Sequence, residues 1–153
     1  MHTPDREAVG TRFDPALMQR AREKTWAALH GIRARMHPGI GEDEAKAAAH
    51  EVFRELGCER LWHPTIIRIG ANTTRTYRQA SDPGVRLGEN DSYFIDLGLV
   101  FDRHEGDVGD TFVVGHAPER QACAEAARAL FGEVAAAWRS RGLSGQALYA
   151  FAG

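Results

Sequence analysis

Only two cysteines, Cys58 and Cys123, occur in the 153 residues, in segments that read as helical and without Cys-x-x-Cys spacing. A disulfide framework and a cysteine zinc site are therefore not expected, and both thiols read as reduced core residues. No apolar run approaches the roughly 20 residues that span a bilayer, so no membrane partner is expected. The opening Met-His-Thr-Pro-Asp-Arg-Glu has neither the basic start nor the apolar middle of a secretory signal, which makes a cytoplasmic location the expectation. Basic clusters are missing as well: 19 Lys and Arg face 21 Asp and Glu, a net charge of -2, which argues against nucleic acid or other acidic polymers as partners. Internal repeats and low-complexity tracts are absent. What remains is an ordinary globular composition, 43% hydrophobic and 26% charged, at a single-domain length.

Residues 1–13 read as a flexible N-terminal segment, and a domain is expected over 14–153. Asp14-Pro15 is a helix start, because Asp caps free amides and Pro fits the first turn; Leu17, Trp26, Leu29, Ile32 and Met36 carry that helix over about 14–36. After the His37-Pro38-Gly39 break, Glu42-Asp43-Glu44 places acids where a helix N-terminus favours them, and the stripe from Ala45 to Leu56 predicts a second helix over 42–56 closed by Gly57. Thr65 to Ile69 reads as a β-branched strand, Ala71 to Asn90 as loop, and Tyr93–Gly98 with Gly106–Gly115 as a hairpin around the turn Asp102-Arg103-His104-Glu105-Gly106. Ala-rich sequence from Pro118 to about Arg141 predicts a long amphipathic helix, and another starts near Ser144. Trp26, Trp62 and Trp138 are expected to pack in the core.

The most informative residues are Asp96 and Asp107, with ten residues between them. An ionised carboxylate in Tyr-Phe-Ile-Asp-Leu is costly to bury unless a cation compensates it, and a divalent metal with oxygen ligands does so directly. If the hairpin sets the two opposite one another, Cβ atoms roughly 5 Å apart leave like charges that repel unless a cation lies between them. Other metal chemistries fail on spacing. His104-Glu105 and His50-Glu51 lack the second His of a zincin, since Val108 and Arg54 stand there. Asp102, Glu105, Asp107 and Asp110 lack the ligand order and closing Glu of an EF-hand. Asp110 reads as a solvated strand-edge acid.

Taken with His37-Pro38-Gly39-Ile40-Gly41-Glu42, Ile69-Gly70-Ala71-Asn72-Thr73 and Thr111-Phe112-Val113-Val114-Gly115, the segments Phe94-Ile95-Asp96-Leu97-Gly98 and Gly106-Asp107 resemble the pita-bread metallopeptidases: methionine aminopeptidase, aminopeptidase P, prolidase and creatinase. The resemblance covers roughly residues 15 to 153. It implies an α+β fold with a curved antiparallel sheet flanked by helices, and a metal-dependent aminopeptidase or Xaa-Pro peptidase acting on peptide N-termini. It makes Asp96 a ligand of one metal and Asp107 a bridging ligand of two, the ions being manganese, cobalt, zinc or iron. One His and two Glu would come from a second half following the helix near Ser144, so the chain reads as the amino-terminal part of a larger, truncated domain, with occupancy by metal reduced accordingly. Apolar surface left uncovered by the missing half would be met by that half or by a second copy in a homodimer. His63, just before the strand, and Tyr77, where relatives carry a His, are the implied substrate contacts, with Arg75 and Arg78 beside Tyr77. Asp110 stands where relatives often have Arg. The reading from another class is a non-catalytic module that keeps the fold and binds a peptide or protein.

Overall fold

The computed structural model describes residues 10–153. Most of the expected N-terminal segment, residues 1–9, lies outside the described residues. Residues 10–13 form a turn in which the Phe13 N–H donates to the Gly10 carbonyl at 3.0 Å, and the Phe13 ring tilts against His104. Helix α1 (Pro15–Arg33) starts as the sequence predicts, with the Asp14 carboxylate accepting from the Ala16 and Leu17 amides. Its buried stripe is Ala21, Thr25, Ala28, Leu29 and Ile32. Helix α2 (Glu42–Glu55) follows the Pro-Gly break, its Glu44 carboxylate reaching back to the Gly41 N–H at 2.8 Å. That hydrogen bond and the Arg86 guanidinium hold the Glu44 carboxyl below its usual range.

The sheet is antiparallel throughout. Strand β3 (Asp91–Phe101) is its centre, β4 (His104–Val114) pairs along one side, and the short β1 (Arg60–Leu61) and β2 (Ile66–Ile69) share the other. The hairpin is tighter and longer than the sequence suggests. Asp102 and Arg103 alone make the turn, at φ 50° and 61°, the left-handed pair that a two-residue hairpin loop of matching twist requires. His104, Glu105 and Gly106, expected in the turn, are paired strand residues. Strand β1, only two residues long, had no periodicity by which to be recognised. Along β3 the odd positions Tyr93, Ile95, Leu97, Leu99 and Phe101 are at most 3% exposed; with Ile67 and Ile69 they form the core against α1 and α2. The even positions look out on the opposite face.

A buried side chain anchors the start and middle of residues 70–90. Glu42, at the first turn of α2, accepts from the Ile69 N–H at 3.1 Å and the Asn72 amide at 2.9 Å, and also from the Ser81 hydroxyl. Asn72, itself fully buried, fixes Asp82 and Arg75. Helix α3 (Pro118–Arg141) is less embedded: its buried residues are Ala124 and Ala137, while Phe131 and Trp138 are 76% and 57% exposed. Helix α4 (Gly145–Ala152) leaves Tyr149 at 84%. The expected core role therefore holds for Trp26, which packs on the core cluster, and fails for Trp62 and Trp138, both exposed because no layer among the described residues covers α3 or the β1–β2 connection.

Three substitutions read this packing. Glu42→Ala leaves the Ile69 and Asn72 donors without acceptors and should cost about 2–3 kcal/mol in urea unfolding. A Cβ at Gly106 would lie 2.1 Å from Thr25 Oγ1 and 2.8 Å from the Ala21 carbonyl of α1, so Gly106→Ala should cost about 1–3 kcal/mol. Gly132→Ala, where no atom lies within 4 Å, should be neutral or stabilising by up to ~1 kcal/mol.

Candidate metal centre

Asp96 and Asp107 lie on the sheet face opposite the helical core. They are not directly across from one another. The register pairs Asp96 with Gly109 and Asp107 with Gly98, so the carboxylates are diagonal neighbours, each facing a glycine; diagonal positions are further apart than opposed ones but within reach of side chains. The carboxylates nonetheless converge: one oxygen from each lies within 4.8 Å of the other and of a His63 nitrogen. Their side chains are 40% and 59% exposed, so the pair is half-buried rather than enclosed. Burial pushes the Asp96 carboxyl above its usual range, with the Asp107 charge adding to the rise and His63 opposing it.

His63 arrives through an irregularity in the sheet. The Trp62 N–H donates to the Gly98 carbonyl at 3.1 Å and Ile66 pairs with Asp96, so His63, Pro64 and Thr65 stand against Leu97 alone. Such an excess bends the strand and re-aims a side chain. The His63 ring folds over the outer face of β3, its Nε2 3.8 Å from Asp96 Oδ1 and 4.0 Å from Asp107 Oδ1. Among the described residues it is the one cation-forming side chain within 4.0 Å of either carboxylate. Sequence reasoning placed His63 near the cleft as a substrate contact; that it joins both carboxylates depends on the bulge, which Pro64 alone hints at.

The other candidates are elsewhere. Tyr77 is 71% exposed and lines a separate groove with Lys46, Arg68 and Ser81. Asp110 pairs with Ile95, out of phase with the carboxylates, and binds Arg128 of α3 at 2.9 Å; the acid has a cation of its own. His104 is spent on structure, its Nδ1 on the Asp102 carbonyl at 2.7 Å and its Nε2 accepting from the Asp14 N–H at 3.0 Å. Beside Asp96 and Asp107 runs a cleft of about 580 Å³ whose apolar walls include Trp26, Phe94 and Phe131, with Arg22 and Arg128 at its polar edge. That volume is in the range of small-ligand sites.

Convergent oxygen donors beside an imidazole, with no other cation within 4.0 Å among the described residues, fit a divalent metal ion. A helix-flanked antiparallel sheet whose central hairpin carries a half-buried carboxylate pair is a partial pita-bread fold. The chain belongs to metallopeptidase family M24, whose sequence model matches residues 16–153. It is 26% identical over 117 residues to the Xaa-Pro dipeptidase of Pyrococcus furiosus, covering 76% of this chain and 33% of that protein. Among solved structures it is similar to the prolidase of Pyrococcus horikoshii, with TM-score 0.61 and 27% identity over 70% of this chain and 30% of the other. It is also similar in fold to an X-Pro aminopeptidase of Thermotoga maritima, with TM-score 0.59 and 22% identity over 67% and 28%. The chain thus spans about a third of the length of the curated relative. No helix among the described residues is long and apolar enough to cross a membrane.

The raised Asp96 carboxyl has a sign that can be checked. Its folded pKa lies above the unfolded value, so the ionised group opposes folding at pH 7, and the penalty vanishes below the unfolded pKa, where both states are protonated. Without metal, Asp96→Asn should raise the melting temperature at pH 7 by about 1–2 °C, up to ~0.5 kcal/mol after screening by solvent. The gain should disappear near pH 3.

Proposed function

We propose that this chain forms the amino-terminal, metal-binding part of a metal-dependent aminopeptidase or Xaa-Pro peptidase acting on peptide N-termini. Asp96 and Asp107 are its ligands for one or two divalent ions, of manganese, cobalt, zinc or iron. The observation that carries this reading is the convergence of the two carboxylates at the side of an apolar cleft in a chain of family M24. The further ligands, one His and two Glu by resemblance, would be supplied from outside this sequence, by a continuation of the domain or by a partner chain; the matched segment covers only 33% and 30% of two of the similar proteins.

When bound, such ions polarise a scissile carbonyl and lower the pKa of a water so that it can attack near neutral pH. The residues of this chain prepare the site for that chemistry. Asp96 and Asp107 must be deprotonated to ligate, which a metal favours, and for Asp96 the bound ion would offset the cost of burial. Trp26, Phe94 and Phe131 give the cleft apolar walls suited to proline and other non-polar side chains. The names of the similar proteins, an Xaa-Pro dipeptidase, a prolidase and an X-Pro aminopeptidase, support a proline-containing substrate. Tyr77, on its separate groove, would meet only a substrate that extends beyond the carboxylate cleft.

Manganese titration followed by calorimetry tests the ligand assignment. Wild type should take up the ion, and Asp107→Asn should bind it at least about tenfold more weakly; equal uptake by both removes Asp107 from the site. Incubating the manganese-loaded chain, joined by the polypeptide that supplies the further ligands, with an Xaa-Pro-Xaa tripeptide, with mass spectrometry of the products, tests the activity. Release of the N-terminal residue, lost in Asp107→Asn, is the expected result, while binding without release would identify a peptide-binding module instead.

A further inference from the structure

Two carboxylates alone leave most of an ion's coordination sphere to water, but the structure brings a third donor to them. We propose that His63 is a metal ligand, so that this chain by itself holds one transition-metal ion through an imidazole nitrogen and one oxygen each of Asp96 and Asp107. The inference rests on the reading of the two carboxylates as ligands and replaces the substrate-contact role expected for His63.

Four observations carry it. The His63 Nδ1 lies 2.8 Å from the Pro64 carbonyl, an acceptor only, so Nδ1 carries the proton and Nε2 presents its lone pair. This is the arrangement by which metal-ligating histidines are oriented, the remote N–H being tied to a carbonyl or carboxylate. Second, Nε2 is the nitrogen that faces the acids, at 3.8 and 4.0 Å. Those distances exceed a hydrogen bond, so neither acid explains the ring's placement. They are close to the roughly 3–3.4 Å between donors sharing one ion at bond lengths of about 2.1 Å.

Third, the ring has a seat prepared for it. A Cβ at Gly98 would lie 2.2 Å from His63 Cδ2, 2.6 Å from Nε2 and 2.5 Å from Trp62 Nε1. Only glycine at position 98 lets the imidazole lie against β3, directly across from Asp107. The Trp62 ring meets the imidazole edge-on at 4.8 Å between centroids, and the His63 side chain is 17% exposed. Fourth, the three-for-one bulge that delivers His63 interrupts pairing with β3 between β1 and β2 and re-aims the ring toward the two acids. A nitrogen beside two oxygens also has a selectivity: imidazole suits cobalt, nickel, iron and zinc, whereas magnesium and calcium favour all-oxygen sites.

Cobalt(II) titration of the purified chain, followed by visible absorption and by paramagnetically shifted proton NMR, tests the assignment. Wild type should bind one equivalent and show a solvent-exchangeable, strongly shifted imidazole N–H resonance, from the Nδ1 proton of His63. His63→Gln should lose that resonance and bind at least about tenfold more weakly, and Gly98→Ala, by displacing the ring, should reproduce both effects; circular dichroism of the metal-free variants reports their folding. Cobalt uptake abolished by Asp96→Asn, but retained at full affinity with the shifted proton in His63→Gln, overturns the role of His63 and leaves the carboxylate site standing. Uptake indifferent to Asp96→Asn removes the carboxylate site and this inference with it. Wild-type cobalt binding without any shifted imidazole proton also overturns the proposal, whatever the variants do.

Discussion

Two carboxylates held on neighbouring strands repel one another, and the β3–β4 register gives them no means of separating. Asp96 and Asp107 are fixed by a ladder that runs unbroken from Asp91 opposite Val114 to Phe101 opposite His104. A slip by one residue would turn Ile95, Leu97 and Leu99 out of the core, so the hydrophobic face locks the position of the charges on the other face. The repulsion is therefore a built-in demand for positive charge. Burial raises the Asp96 carboxyl in the metal-free chain and the Asp107 charge adds to the rise, while His63 is the nearby group able to answer part of it.

The glycines around the two acids have separate structural duties. Gly98 gives the outer face room for His63 and Trp62, while Gly106 lets α1 approach the inner face as far as Thr25. Gly109, across from Asp96, keeps the space beside that carboxylate open. Requirements of the acid-bearing face and of the core face thus alternate along β3 and β4, residue by residue, as the pleat dictates. Among the described residues the outer face carries no helix layer comparable to α1 and α2, which leaves the acids half-exposed.

Much of this was legible in the chain. Asp14-Pro15, the acidic start of α2 and the apolar stripes through Ile32 and Phe53 announce their helices because caps and periodicity act locally. Phe-Ile-Asp-Leu-Gly and Gly-Asp marked the two acids because an acid amid apolar strand residues conflicts with its surroundings. Less visible were the two-residue turn, since Asp102-Arg103 lacks the glycine that left-handed turns favour, and β1, too short to show a period. The exposure of Phe131 and Trp138 was also hidden, because an amphipathic stripe says which face of α3 is apolar and not whether anything lies against it.

Read alone, the sequence determined which segments are helices, which form the hairpin and that Asp96 and Asp107 belong together, since each of these follows from local propensity, periodicity or a motif. The tertiary structure decided that the acids are diagonal, that Asp110 turns away to Arg128, and that His63 comes to stand beside both carboxylates. Those outcomes depend on strand register and on a bulge in a neighbouring strand. Both are set by the packing of residues distant in the chain, which no local pattern records.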